Sequence, residues 1–236
     1  MIADESAEGA TMNVWEVFAE FDRNCAIMND QELEVWLNEA LSAFQQEHPE
    51  DFVGQSAILN ELGGFYRSRG NYERGEQAFM LAKGLHESID DTTSLDYATT
   101  LNNLAGLYRL TGEFEKALKM FDDSQKLYET SEKPAPPELY ASCLNNKGLV
   151  YQDMKRYEEA KGSFEKALAL INDLPNNGYV LATTLSNLAF AHHGLGEREK
   201  VTEYMDKAVD IFRQEMGEDS PLYQSSLKAR ERLLSD

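Results

Sequence analysis

The sequence predicts an all-α solenoid of antiparallel helix pairs, and three observations carry that expectation. One block recurs four times: LNELGGFYRSRGNYERGEQAF from Leu59, LNNLAGLYRLTGEFEKALKMF from Leu101, LNNKGLVYQDMKRYEEAKGSF from Leu144 and LSNLAFAHHGLGEREKVTEYM from Leu185, with starts 42, 43 and 41 residues apart. Within each block, apolar residues return three, four and seven positions on, the period of a helix with one buried face. The pattern then breaks at a short polar turn, centred in three blocks on Gly70, Gly112 and Gly196, as a helix C-terminus prefers. The unit is therefore helix, tight turn, helix, and its fixed period makes the chain one stacked array.

The slots match in size as well as polarity, which close helix packing requires. Small residues recur at Gly63, Ala105, Gly148 and Ala189 in the first helix of each unit, and at Ala82, Ser124, Ala167 and Ala208 in the second. Large ones recur at Tyr66, Tyr108, Tyr151 and His192, then at Phe79, Phe121, Phe164 and Met205. One helix pair cannot bury this surface, whereas a stack can. Departures from the pattern are Lys147 in a Leu slot, Lys155 in the turn Gly slot, His192 for Tyr and Val201 for Ala. The third and fourth units are accordingly expected to pack less well than the second.

In chain order, residues 1–11 are expected to be disordered and 12–54 to form a degenerate helix pair. Four repeats follow over 55–214, and a capping helix over 215–236. In the degenerate pair, Leu33, Leu37 and Ala40 fall where clear units carry Gly75, Phe79 and Ala82, so Asp30 to Gln46 is its second helix. Trp15, Phe18, Ala19 and Phe21 mark the first; the alternative is a mobile aromatic segment that covers a groove of its own or a neighbouring molecule. At the other end Ser220 and Pro221 start a helix as N-cap and first residue. Its face of Leu222, Tyr223, Leu227, Leu233 and Leu234 opposes Lys228, Arg230, Glu231 and Arg232. The turn-rich stretches Ser131 to Glu138 and Asn172 to Gly178 are connections on one edge.

The block wording resembles the tetratricopeptide repeat family, with its Leu-Gly or Leu-Ala, Tyr, Ala, Phe and Ala pattern over about 34 residues. LNNLAGLY, the longer spacing and the tail MGEDSPLY are most similar to the repeats of the kinesin light chain group and of bacterial repeat proteins. The resemblance covers about Gln55 to Leu234. It implies a right-handed superhelical solenoid, a concave face lined by first helices, and a role as a scaffold for protein or peptide partners.

Forty-two acidic against 22 basic residues leave a net charge of −20. No cluster of Lys and Arg suits phosphates, so nucleic acid is excluded as a partner and basic peptides or proteins are favoured. No stretch reaches the roughly 20 apolar residues of a membrane span, and MIADESAEGATMN lacks the basic and apolar regions of a secretory signal. A cytoplasmic location is the expectation, with Cys25 and Cys143 as ordinary packing residues. Neither metal nor cofactor is expected: His192 and His193 diverge by about 100° on a helix, and no phosphate loop, HExxH or GxSxG is present. His48 and His86 are expected to be solvated beside helix ends. The chain is thus expected not to be an enzyme.

The candidate ligand groove is read from the residues after each opening Leu: Asn60, Asn102, Asn103, Asn145, Asn146 and Asn187. The resemblance gives the second slot, Asn103, Asn146 and Asn187, the role of bonding a bound peptide's backbone, with Glu61 standing there in the first unit. Asn is a poor helix-interior residue whose amide both donates and accepts. First helices about 8 to 10 Å apart would meet an extended ligand, at about 3.3 Å per residue, roughly every third residue. The other role for these amides is to tie neighbouring helices together, and the two stand side by side. Arg67 and Arg109 share a slot continued by Gln152 and His193; they offer either a carboxylate site or solvated charges near helix ends. Ala57, Gly64, Gly106, Leu149 and Phe190 complete the floor. Besides capture of a protein or peptide segment, two alternatives stand: a self-associating structural or regulatory subunit, and a sensor for a small signalling peptide.

Overall fold

The computed structural model describes residues 13–175 and 177–235, so the expectation of a disordered segment over 1–11 lies outside the described residues. Among these there are eleven helices and no strand. They are α1 (Val14–Cys25), α2 (Asp30–Glu47), α3 (Phe52–Ser68), α4 (Tyr72–Ser88), α5 (Leu95–Leu110) and α6 (Phe114–Thr130), then α7 (Pro137–Asp153), α8 (Tyr157–Ile171), α9 (Gly178–Gly194), α10 (Arg198–Met216) and α11 (Pro221–Ser235). The chain divides into two compact units between Leu107 and Tyr108. In the first, α1 and α2 pack on α3 and α3 pairs with α4; in the second, α7 pairs with α8, α9 with α10, and α11 lies against α10.

Helix starts follow from local chemistry. Asn13 and Asn29 each cap a helix and form a capping box with Glu16 and Glu32, satisfying amides that have no partner inside a helix. Asp51 and Asn71 accept from Gly54 N and Arg74 N at the starts of α3 and α4. The tight turns adopt left-handed backbone at Gly70, Gly112 and Gly196, with φ of 73°, 81° and 76°. Lys155 takes the same conformation at φ 59°, where a β-carbon is strained.

The size pattern becomes contact in the pairs α3/α4 and α7/α8. A β-carbon on Gly63 would lie 2.6 Å from the Phe79 ring, and one on Gly148 would lie 2.4 Å from the Phe164 ring. Glycine lets each ring rest on the backbone of the partner helix, and Phe79, Phe121, Phe164 and Met205 are all fully buried. Removing this much apolar surface from water drives the stacking. Lys147, in its Leu slot, keeps its stem half-buried and sends its ammonium back to α6, 2.6 Å from Asp122 and 2.9 Å from Gln125. His192 replaces Tyr in the core by stacking on Tyr204, 5.3 Å between ring centroids, with Nδ1 held by Glu197.

Several side chains depart from expectation. α1 packs through Val17 against Ile58, Ala40 and Phe44, while Trp15 on its other face is 75% exposed. Cys25 is exposed rather than packed, whereas Cys143 is buried and burial pushes its thiol up to about 11. Far from being solvated, His86 is 1% exposed, because the chain after α4 folds back and supplies it with partners.

Candidate functional site

In the N-terminal unit the first-slot amide is fully used. Thr100 Oγ1 on α5 donates to the Asp96 carbonyl at 3.1 Å, so its oxygen is left to accept, and Asn60 Nδ2 on α3 donates to it at 2.8 Å. That bond fixes the amide, whose Oδ1 faces outward and accepts from Asn103 Nδ2 at 3.1 Å. Three side chains form a closed relay that ties α3 to α5. Arg67 reaches across the same gap to the Asn103 carbonyl at 3.3 Å, and Gly106 leaves room for it, since a β-carbon there would sit 3.1 Å from the guanidinium.

The C-terminal unit begins the same relay and does not finish it. Thr184 Oγ1 on α9 donates to the Val180 carbonyl at 2.8 Å and accepts from Asn145 Nδ2 on α7 at 2.8 Å. Asn145 is 8% exposed, yet its Oδ1 has no partner. Asn187, the counterpart of Asn103, is half-buried and does not donate to that oxygen. Two turns further along α7, Gln152 Oε1 is likewise buried without a partner. A buried acceptor left unmade costs about 1 to 3 kcal/mol.

The remaining candidates fall into place around these amides. Asn102 is as buried as Asn145, whereas Asn103, Asn146 and Asn187 in the second slot are half-buried, as is Asn60 in the first. Arg109 is bound to Asp153, with Nε 2.8 Å from its carboxylate, and ties α5's last turn to α7. Leu149 packs at the edge of the cluster of Phe164, Leu188 and Ala191. Phe190 lies half-buried beneath the Arg232 guanidinium of α11, 5.7 Å from its centroid. His193 lines a cleft of about 210 Å³ with Arg198, Val201 and Leu233.

Electrostatics separate the two units further. Glu61, in the second slot of α3, is half-buried; burial raises its pKa, Asp22 raises it further, and Arg67 opposes both. Burial in turn lowers the pKa of Arg67. Among the described residues no group of three His, Cys, Asp or Glu could hold a metal ion, and no helix is long and apolar enough to cross a membrane.

Residue spacing concealed one constellation. Ser56 Oγ lies 2.8 Å from His86 Nε2, and His86 Nδ1 lies 2.7 Å from Asp91 Oδ2. The order Ser, His, Asp is that of hydrolytic triads, but Ser56 and His86 are each 1% exposed, so no substrate reaches the hydroxyl. Asp91 also accepts from Ser94 Oγ, which caps α5 at Tyr97 N. The network fastens the long connection between α4 and α5 to the core of α3. The only local hint was an Asp five residues after the His; Ser56 stands 30 residues before it.

The tetratricopeptide repeat family model matches residues 54–130 and 139–214, more than half of the chain. No curated protein matches the sequence. Among solved structures, BtubC (BKLC) from P. vanneervenii superposes with a TM-score of 0.73 at 22% identity, over 88% of this chain and 82% of that one. A putative kinesin light chain from Podospora anserina with nearly identical TPR-like repeats gives 0.63 at 16% identity, over 84% and 94%. MamA gives 0.54 at 19% identity, over 82% and 95%. At these identities the likeness is one of fold.

Proposed function

Because the chain belongs to the tetratricopeptide repeat family, whose fold is generally a protein–protein interaction scaffold, we propose that it captures a segment of another protein along the face made by its first helices. One observation carries the proposal: on α9 the second-slot Asn187 and, three residues on, Phe190 are both half-buried, and on the neighbouring α7 Asn146 and Leu149 hold the same two positions and are half-buried too. Amides beside apolar side chains suit a ligand that is itself part polar backbone and part apolar side chain. A net charge of −20 favours basic segments in the approach to this face. The reading assigns the chain no chemistry of its own.

A photo-crosslinking side chain placed at Asn187 tests it, with the exposed Ala169 of α8 as control. Specific crosslinks to protein in native extract are expected from position 187 and not from 169. Equal labelling, or none at 187, refutes the proposal.

A second reading, self-association through the N-terminal pair, is favoured by Trp15 at 75% exposed. Sedimentation of the full chain against Trp15→Ser decides it: a monomer in both cases removes this alternative.

A further inference from the structure

Apart from the first-helix face, the second helices of the N-terminal unit leave a groove. α2 and α4 both pack on α3, and between them runs a cavity of about 470 Å³ whose apolar lining is Leu41, Leu59, Leu62, Ala78 and Leu81. One end is closed by the Arg74 guanidinium, paired with Glu34 across the groove. From there each wall continues for seven residues, to Leu41 and Leu81, a rise of about 10.5 Å. Leu81 is 61% exposed. Val35 and Met80 stand three residues from the lining Asn38 and Gln77, and so on the same side of their helices; both are exposed.

Counterpart positions in the C-terminal unit are covered by the chain itself. Between α6 and α8, the slots of Leu62 and Leu41 hold Lys147 and Gln125, which bond each other at 2.9 Å. Between α8 and α10, Ala78 and Leu81 give way to Tyr204 and Lys207, whose amine lies 5.9 Å from the ring centroid and 2.9 Å from Glu203. The groove between α2 and α4 has neither polar substitute, so its lining stays apolar up to the surface.

An occupant of this groove must arrive with its backbone already satisfied. The walls are helices whose N–H and C=O groups bond internally, and three polar side chains of the lining are engaged. Tyr66 Oη donates to Glu34 at 3.1 Å, Arg74 pairs with the same carboxylate, and Asn38 Nδ2 donates to the Glu34 carbonyl at 2.7 Å. An extended segment would give up its bonds to water here, whereas a helix keeps its own. Charge narrows the choice further. α2 carries Asp30, Glu32, Glu34, Glu39 and Glu47 and no Lys or Arg, so the field along this wall is negative, and a second copy at −20 would meet like charge. We infer that the groove seats one amphipathic helix of a partner protein, its apolar side chains at i, i+3 or i+4 and i+7 against Leu41 and Leu81, with Lys or Arg on its flanks. An i to i+7 pair spans the same rise of about 10.5 Å.

A phage-displayed library of Ala-based helices selected on the full chain is the probe, with positions i, i+3, i+4 and i+7 drawn from apolar residues and the flanks from Lys, Arg, Glu and Asp. Enriched helices are expected to be rich in Lys and Arg, to weaken as salt rises, and to bind Leu81→Lys at least about tenfold more weakly than wild type. Leu81→Lys installs on an exposed surface the residue that the chain itself carries at position 207, so its melting temperature should stay within about 2 °C of wild type. Lys207→Ser should bind within about twofold of wild type. A proline at the centre of an enriched peptide, tested on the unaltered protein, should abolish binding by breaking the helix. Acidic enriched peptides, tolerance of the central proline, equal binding to Leu81→Lys, a comparable loss on Lys207→Ser, or no enrichment would each overturn the assignment. So would a wild-type dimer in sedimentation that Leu81→Lys dissociates, because a second copy would then fill the groove. Crosslinking from position 187 should be unchanged by Leu81→Lys, so the scaffold reading stands or falls separately.

Discussion

Two glycines on neighbouring helices of one pair should respond to the same substitution in opposite ways. Gly148 on α7 faces Phe164, and an added β-carbon would meet three ring atoms at 2.4, 2.8 and 2.8 Å. Phe164 is fully buried, so the ring has nowhere to go, and overpacking of this kind costs about 1 to 3 kcal/mol. Gaining a better helix former returns about 1 kcal/mol. With three sub-contact distances the upper end applies, and Gly148→Ala should destabilise by about 2 kcal/mol net. Gly162 on α8 has nothing within 4 Å of its added β-carbon, so Gly162→Ala should stabilise by about 1 kcal/mol. Thermal melts followed by circular dichroism should show a fall of about 4 to 8 °C for the first and a rise of about 2 to 4 °C for the second. Adding Phe164→Leu should cost less in the Gly148→Ala background than in wild type, since the two groups compete for one space. A melting temperature raised by Gly148→Ala would refute the packing account, because helix propensity alone would then govern the site.

Three further outcomes follow from single side chains. Lys155→Gly relieves left-handed strain of about 1 to 2 kcal/mol against a gain in unfolded-chain freedom of about 0.4 to 1 kcal/mol; urea denaturation should show a net stabilisation of about 0.5 to 1 kcal/mol. Ser56→Ala leaves His86 Nε2 buried without its partner at 2.8 Å, and should cost about 1 to 3 kcal/mol in the same assay, with faster amide exchange in the α4 to α5 connection. Glu61 has a folded pKa raised chiefly by burial, so its ionisation opposes folding, and stability falls as pH rises from the ordinary carboxylate value through the raised one. Glu61→Gln should therefore raise the melting temperature at pH 7 and leave it unchanged at pH 3; an equal shift at both values would show that charge is not the cause.

How far the sequence reaches is visible in particular residues. The period, the helix pairs and the turn positions were legible because each depends on neighbours three to seven residues away, or on a glycine's own backbone. Burial of Phe79, Phe121, Phe164 and Met205 was legible too, since their slots repeat. His86 was not: an isolated His near a helix end is ordinarily solvated, and its partner Ser56 lies 30 residues away. Nor could spacing divide the work among the Asn residues, because Asn60 and Asn145 stand in the same slot after the same Leu.

By itself, the sequence determined a chain of stacked amphipathic helix pairs and the family to which it belongs, since periodicity and residue size act locally and repeat. Only the tertiary structure decided which amide oxygens are satisfied. That depends on side chains some 40 residues apart meeting within about 3 Å, a distance at which a hydrogen bond either forms or is lost. Asn60 meets Asn103 and is closed, whereas Asn145 meets only Thr184 and keeps one acceptor open.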